Sequence, residues 1–276
     1  MIQDIYPHTF ENQFIAETNI SDNDFIFHFK EDELLLRKSD DAFYFPRKCD
    51  LEGCSRTGIF LFLLNGIRCF WVNDCVVSSE LSYVYHDVKL LRNTLQKDID
   101  WAGNVAMQLK VWYEQNRFCG KCGSQTQHKE NERALLCPVC NAVYYPTISP
   151  AIIVAVLSND KILLASGANF RRGYFSLVAG YVEVGESIED AVVREVKEEI
   201  GIDVWDVSYY KSQPWPNSGS MMIGFTAKAD DKQPIRVDGI EIVEAAWFSR
   251  DNLPNYPPER SIAGEMIDSF KVKGRI

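Results

Sequence analysis

Residues 180–202 read Gly-Tyr-Val-Glu-Val-Gly-Glu-Ser-Ile-Glu-Asp-Ala-Val-Val-Arg-Glu-Val-Lys-Glu-Glu-Ile-Gly-Ile. Ser187 followed by Asp190 has the spacing of a capping box that opens a helix. Gly201 supplies a residue that ends one, because glycine takes the left-handed conformation without steric cost. Between them stand Glu195, Glu198 and Glu199. At roughly 100° per residue, positions i, i+3 and i+4 share one face, so the three carboxylates converge. Val192, Val196 and Ile200 form a stripe beside them that seats the helix on a core.

Carboxylates gathered in this way repel one another, and a helix shaped for stability alone would intersperse them with lysines. A hard divalent cation such as Mg²⁺ or Mn²⁺ removes the repulsion, since it prefers oxygen ligands and keeps waters for substrate phosphates. Arg194 is placed to hold one of the carboxylates. Gly180 and Gly185 bracket the preceding loop, where the backbone must turn sharply or approach a ligand closely. The glutamates alone would sooner be read as a solvated acidic helix.

The wider pattern is more specific. Gly180, five residues, Glu186, seven residues, Arg194-Glu195-Val196, one residue, Glu198-Glu199, one residue and Gly201-Ile202 fit the Nudix box at every defined position. The stretch therefore resembles the Nudix hydrolases, which cleave nucleoside diphosphates linked to another moiety.

The 276 residues suffice for two domains of usual size. With 46% hydrophobic and 25% charged residues, the composition is that of an ordinary globular protein. No apolar run approaches the roughly 20 residues that span a bilayer. Residues 1–12 carry acids and no basic segment, so no secretory signal is expected and the expected location is the cytoplasm. A formal charge of −10 repels nucleic acid at long range, so phosphate groups are to be met through bound cations and a few local arginines. Eight cysteines in such a chain argue for thiols or metal ligands rather than a disulfide framework.

Residues 1–86 read as a mostly β unit. Short apolar runs occur at 25–29, 33–36, 42–45 and 59–64, and Asn65-Gly66 turns the last of these into 67–72 as a hairpin. Cys49, Cys54, Cys69 and Cys75 fit no ligand spacing and are expected to be buried or incidental thiols. His8, His28 and His86 have no partner motif and are expected to be structural or surface residues. Residues 87–116 repeat apolar side chains at three- and four-residue intervals without proline, which predicts one connecting helix.

Cys119-Gly-Lys-Cys122 and Cys137-Pro-Val-Cys140 then form two Cys-x-x-Cys knuckles separated by fourteen residues. That spacing places four thiolates around one Zn²⁺ and leaves no open coordination position, so this zinc is expected to be structural. It substitutes for the core that so short a segment cannot build.

From Pro150 onward, strands are predicted at 151–157, 161–165, 174–179, 207–211, 221–227 and 241–248, with the glutamate helix among them and a closing helix at 259–271. This is a mixed sheet between helices, and the Nudix resemblance implies the same α/β/α sandwich. Between two of these strands, Ser212-Gln213-Pro214-Trp215-Pro216-Asn217-Ser218-Gly219-Ser220 holds a tryptophan stiffly between two prolines, an apolar plate on a loop suited to stacking on a base or nicotinamide ring. Ser-Gln-Pro-Trp-Pro after a Nudix box, with a zinc ribbon before it, resembles the NADH pyrophosphatases, a family that also hydrolyses the NAD cap of RNA. Asn217-Ser218 departs from that family, which continues with Phe-Pro; this puts the preference for NADH over other dinucleotides in question.

The resemblance implies an α+β chain of three parts: 1–113, an N-terminal, mainly β domain with its connecting helix; 114–147, a small zinc ribbon; and 148–276, the Nudix fold. It implies metal-dependent cleavage of NADH or NAD⁺ to nicotinamide mononucleotide and AMP, with removal of NAD from the 5′ end of capped RNA as a second activity. Glu195, Glu198, Glu199 and Glu241 are the implied Mg²⁺ or Mn²⁺ ligands, with Glu198 the chosen base. Cys119, Cys122, Cys137 and Cys140 hold one Zn²⁺. The implied substrate contacts are Glu132, Tyr145, Ala179, Tyr181, Gln213, Pro214, Trp215, Pro216, Asn217, Ser218, Gly219, Ser220 and Ala263, and the implied assembly is a homodimer without membrane contact. Two alternatives stand beside this reading. One is a Nudix pyrophosphohydrolase acting on ADP-ribose, a dinucleoside polyphosphate or a nucleotide sugar; the other is a non-catalytic binding module built on the ribbon.

Overall fold

Successive side chains of a strand point to opposite faces of its sheet. In a computed structural model of the chain, which describes residues 1–40, 42–75, 83–274 and 276, two compact units appear: Ile2–Thr147, and Ile148–Ile276 with Met1. The C-terminal unit contains β12 (Ser149–Ser158), β13 (Lys161–Gly167), β14 (Val178–Tyr181), α2 (Ile188–Ile200), β15 (Trp205–Trp215), β16 (Ser220–Lys228), β17 (Ile242–Ser249) and α3 (Ile262–Lys273). The sheet runs β15-β16-β12-β13-β17 with β14 also paired to β12. β12 and β16 are parallel and the other pairs antiparallel, so the sheet is mixed as expected.

Ile152, Val154 and Val156 of β12 point to one face, where they meet Ala191, Val192, Val196 and Ile200 of α2. Ile153 and Ala155 point to the other, against Ile262, Met266, Ile267 and Phe270 of α3. The sheet is thus covered on both faces, which is why β12 reads as a continuous apolar run. The predicted valine–isoleucine stripe is fully buried, each such side chain contributing about 1.5–3 kcal/mol. Ser187 caps α2 by accepting the Asp190 N–H at 3.1 Å. The reciprocal half of the box is absent: the Asp190 carboxylate instead accepts the Ser187 hydroxyl at 2.6 Å, being one methylene shorter than the glutamate such a box prefers.

Two expectations here are corrected. Only the end of 174–179 is strand, since β14 starts at Val178. Residues 212–215, expected as loop, continue β15 up to Trp215, which pairs with Ser220. β15 is an edge strand, where Pro214 costs the ladder no central hydrogen bond.

The N-terminal unit contains β1 (Phe10–Glu11), β2 (Phe25–Phe27), β3 (Phe29–Lys30), β4 (Glu33–Ser39), β5 (Ala42–Tyr44), β6 (Ile59–Leu64), β7 (Ile67–Trp71) and β8 (Tyr83–Asp87), then α1 (Lys97–Gln115) and the short strands β9 (Gln127–His128), β10 (Leu135–Leu136) and β11 (Val143–Tyr144). One sheet runs β1-β6-β7-β2; another runs β3-β4-β5 with β8 on β4. The single helix predicted over 87–116 is two elements. Val88–Asn93 is a 3₁₀ helix, closed when Thr94 donates its N–H and hydroxyl to the Leu91 carbonyl at 2.9 and 2.7 Å. α1 restarts at Lys97 after Gln96, whose side chain is engaged with both backbone groups of Phe43.

The expectation of free thiols in this unit is also corrected: Cys54 and Cys75 form a disulfide. Cys69 is buried and Cys49 exposed, both unpaired. The pair closes the open end of the β6–β7 hairpin, Cys54 lying before β6 and Cys75 after β7. By loop-closure entropy a bridge across 21 positions stabilises by about 3 kcal/mol. Reduction should lower the unfolding free energy of this unit by about that amount, and denaturant titration with and without a thiol reductant measures it.

Candidate active site

β14 ends on Gly180 and Tyr181, and α2 follows one loop later. A Cβ at position 180 would overlap the carboxyl of Glu195, so glycine is required for the strand end to receive that side chain. Gly180→Ala should displace Glu195 while leaving α2 in place. Metal affinity should fall roughly 10–100-fold, as for a lost supporting contact, which Mn²⁺ calorimetry beside circular dichroism will read.

Arg194 organises the surrounding acids. Its Nε and Nη2 donate to the two oxygens of Glu186 at 3.0 and 2.7 Å. Nη1 reaches Glu195 at 2.9 Å and Glu198 at 3.0 Å, and Nη2 also donates to the Tyr181 carbonyl at 2.9 Å. A planar fork of five donors suits this work where a lysine would not. The guanidinium, aided by the Glu183 N–H, holds the Glu186 carboxyl down at about 2.

Glu199 is different. It is 7% exposed, and among the described residues its Oε2 is the one buried carboxylate oxygen without a hydrogen-bond partner. Burial, then the charges of Glu195, Glu241, Asp238 and Glu198, push its carboxyl up to about 8. Burial likewise raises Glu195, with Glu198 and Glu241 adding to it and Arg194 opposing. The four predicted glutamates therefore share one electrostatic environment, and a buried acceptor left open among like charges is what a hard divalent cation would satisfy.

Asp238 completes this environment and was not among the predicted residues. Its two oxygens accept the N–H groups of Glu241 and Ile242, both at 2.9 Å, fixing the turn that presents Glu241 ahead of β17. The Asp238-Gly239 pair was its available signal, Gly239 having a φ of 73°.

The predicted substrate contacts divide into two groups in this unit. Tyr181 is exposed; its hydroxyl lies 3.3 Å from Ser220 Oγ, which is 2.8 Å from Ser218 Oγ. Pro216 to Gly219 form the turn between β15 and β16, with Asn217 and Ser218 exposed and Trp215 half-buried. Ala179 is half-buried. Gln213 is fully buried: it donates to the Arg260 carbonyl at 3.0 Å and accepts the Ile262 N–H at 2.8 Å, pinning the start of α3. Ala263 packs in the core behind it.

Glu132 and Tyr145 belong to the other unit, where the Tyr145 hydroxyl donates to Glu132 at 3.2 Å. Lys129, which was not predicted, also pairs with Glu132. Close by in sequence, Cys119, Cys122, Cys137 and Cys140 bring their sulfurs within 4.8 Å of one another. Sulfurs tetrahedral about one zinc are about 3.8 Å apart, and Cys119–Cys140 at 3.5 Å and Cys122–Cys137 at 3.4 Å match this.

The two knuckles repeat one backbone motif. Gly123 N donates to Cys119 O at 2.8 Å and Asn141 N to Cys137 O at 3.0 Å, and both residues have positive φ, 75° and 59°. Asparagine tolerates that conformation better than other side chains, so Asn141 is the counterpart of Gly123. The Tyr144 hydroxyl, 3.2 Å from Cys119 Sγ, leads the interactions that lower the Cys119 thiol to about 6 despite desolvation. A thiol so poised is readily a thiolate ligand.

Comparison with known proteins matches two domains in the chain. Residues 147–270 match the NUDIX domain and residues 114–145 the NADH pyrophosphatase zinc ribbon domain. The NAD-capped RNA hydrolase NudC of Citrobacter koseri is 41% identical over 191 residues, 68% of this chain and 74% of that protein. The chain belongs to this zinc-ribbon family of Nudix hydrolases. The NudC proteins of Pseudomonas aeruginosa and Stutzerimonas stutzeri are each 44% identical over 165 residues, 60% of this chain, and the chain spans 59% of their length. A crystal structure of a NUDIX hydrolase from Nitrosomonas europaea aligns with TM-score 0.46 and 25% identity over 56% of this chain and 88% of that one. The NUDIX match implies a divalent metal, and the four cysteines fit Zn²⁺. Among the described residues no helix is long and apolar enough to cross a membrane.

Proposed function

We propose that the chain hydrolyses the pyrophosphate bond of NADH or NAD⁺ to nicotinamide mononucleotide and AMP, and removes the same NAD group from the 5′ end of capped RNA. The observation that carries this reading is the buried, unpartnered Glu199 oxygen among Glu195, Glu198 and Glu241. The names of the relatives support the choice of substrate.

Glu195, Glu198, Glu199 and Glu241 would hold Mg²⁺ or Mn²⁺, which when bound neutralises diphosphate charge and eases ionisation of a water. Arg194 keeps Glu195 and Glu198 on one side of α2 through its two Nη1 contacts. Glu198, with a side chain 61% exposed, is the carboxylate open to accept the proton of the attacking water. The water oxygen bonds to one phosphorus while the bridging P–O bond breaks, and the departing phosphate carries the negative charge. Tyr181 and Trp215 offer rings on which a base or nicotinamide stacks. Gln213 acts at one remove by fixing the α3 terminus. The three-part division at 113/114 and 147/148, the homodimer and a cytoplasmic location complete the proposal.

The test is a product assay on the full chain with Mg²⁺ and with Mn²⁺. The panel comprises NADH, NAD⁺, NAD-capped RNA, ADP-ribose, a dinucleoside polyphosphate and a nucleotide sugar. NADH or the NAD cap should give the highest kcat/KM. The exposed Asn217-Ser218 turn, in place of the family's Phe-Pro, keeps a Nudix pyrophosphohydrolase of ADP-ribose, a dinucleoside polyphosphate or a nucleotide sugar as the second reading. If ADP-ribose or another panel member exceeds NADH and the cap tenfold, that reading replaces the first.

A further inference from the structure

The diphosphatase reading gives no task to a cleft of about 680 Å³ that lies wholly within the N-terminal unit. A volume of this size accommodates a small organic ligand. Its floor is aromatic: Phe45 stands 5.8 Å from Phe25 and 4.5 Å from Phe27, centroid to centroid. On the wall, Tyr44 of β5 is 46% exposed and pairs across the sheet with Arg37 of β4. The Arg37 guanidinium lies 5.4 Å from the Tyr44 ring centroid, and the Arg47 guanidinium lies 5.1 Å from that of Phe25.

Among the lining residues the cations Arg37, Arg47 and Lys97 outnumber the carboxylates of Asp50 and Asp98. Among the described residues neither Arg37, Arg47 nor Lys97 forms an ion pair; Arg47 donates to the Asn23 carbonyl at 2.7 Å and Lys97 to the Asp4 carbonyl at 3.4 Å. Both acids in the lining have partners of their own. Asp50 accepts the Arg47 backbone N–H at 2.9 Å, and Asp98 lies 3.7 Å from His8. In a chain of net charge −10, three cations without an ion pair beside the half-buried Phe25 ring and the exposed Tyr44 ring mark a local positive excess on an aromatic surface. A guanidinium already stacked on a ring extends an apolar platform and keeps its edge donors for an anion.

A ligand matching both features has a flat π-face and a phosphate. An acidic peptide would use the cations and leave the rings idle. We infer that this cleft binds one nucleotide unit of a single-stranded nucleic acid, its base stacked on the Tyr44–Arg37 platform and its phosphate met by Arg47 and Lys97. The inference stands apart from the diphosphatase reading, since it concerns neither the carboxylates nor the zinc.

The test uses the full chain in excess EDTA, so that the carboxylate centre holds no divalent ion. Labelled single-stranded ten-nucleotide RNA and DNA are titrated by fluorescence anisotropy, and 4-thiouridine crosslinks are mapped to peptides. Crosslinks should fall within residues 37–50. Arg37→Gln/Tyr44→Ala and, separately, Lys97→Gln should weaken binding about tenfold or more, with circular dichroism and NADH turnover unchanged. Binding of either oligonucleotide on these terms supports the inference, and the tighter of the two names its natural source. Crosslinks confined to other segments, unchanged affinity in a folded double variant, or equal competition by heptaglutamate would each overturn it. Loss of NADH hydrolysis in the wild-type chain would instead count against the diphosphatase proposal alone.

Discussion

Glu199→Gln should lower turnover by about two to three orders of magnitude without unfolding the protein. The substitution keeps the size of a buried side chain and removes only its ability to carry charge. Losing one charged contact that acts on the transition state costs roughly 3–4 kcal/mol, and each 1.36 kcal/mol is about tenfold in rate. The fold should tolerate it because Glu199 has no hydrogen bond on Oε2 to lose. Kinetics with saturating Mn²⁺, calorimetric Mn²⁺ affinity and thermal melting separate these effects. A variant with near-normal hydrolysis would sink the metal assignment.

The same residue sets a pH signature in metal-free protein. Its carboxyl ordinarily titrates at 4.5 and is pushed up to about 8 in the fold. A raised carboxyl favours the protonated form of the folded state, so its contribution is full below pH 4.5 and is lost as pH rises through about 8. In EDTA the wild-type protein should therefore lose stability across that window relative to Glu199→Gln. Coincident stability–pH curves for the two proteins would contradict the burial argument.

Zinc removal should have the second large effect, confined to the ribbon. The segment matched at 114–145 buries few apolar side chains of its own, chiefly Ala134 and Leu135 beside Cys119 and Cys137. Its strands are two residues long. Such a segment depends on the metal, whose binding in small zinc modules is worth about 10–16 kcal/mol. Cys137→Ser, which replaces a fully buried ligand, should abolish zinc binding and leave the Gly123 and Asn141 amides exchanging as in an unfolded chain. Hydrogen exchange with mass spectrometry checks this. Native-like protection of those amides in zinc-free protein would show that the ribbon folds without its metal.

How much of this was legible beforehand depends on the range of the interaction. The glutamate face of α2, its Ser187 and Gly201 ends, the Asn65-Gly66 hairpin and the two cysteine knuckles could all be read in advance. Each is a local arrangement of residues a few positions apart, where helical rise or turn geometry dictates the contact. The break at Thr94–Gln96 escaped because the competing partner of Gln96 is Phe43, far away in sequence. The extension of β15 through Pro214 escaped because proline signals a loop unless the strand is known to be an edge.

By itself the sequence determined the acid spacing, the four zinc ligands and the order of strands and helices in the C-terminal unit, since these follow from residue type and short-range geometry. Tertiary structure alone decided that Glu199 would be desolvated with an open oxygen, that Gly180 would make room for Glu195, and that Asp238 would aim Glu241 into the same field. It alone joined Cys54 to Cys75 and set Arg37 on Tyr44. Burial and charge are summed over neighbours that the fold supplies, so no local pattern can state them.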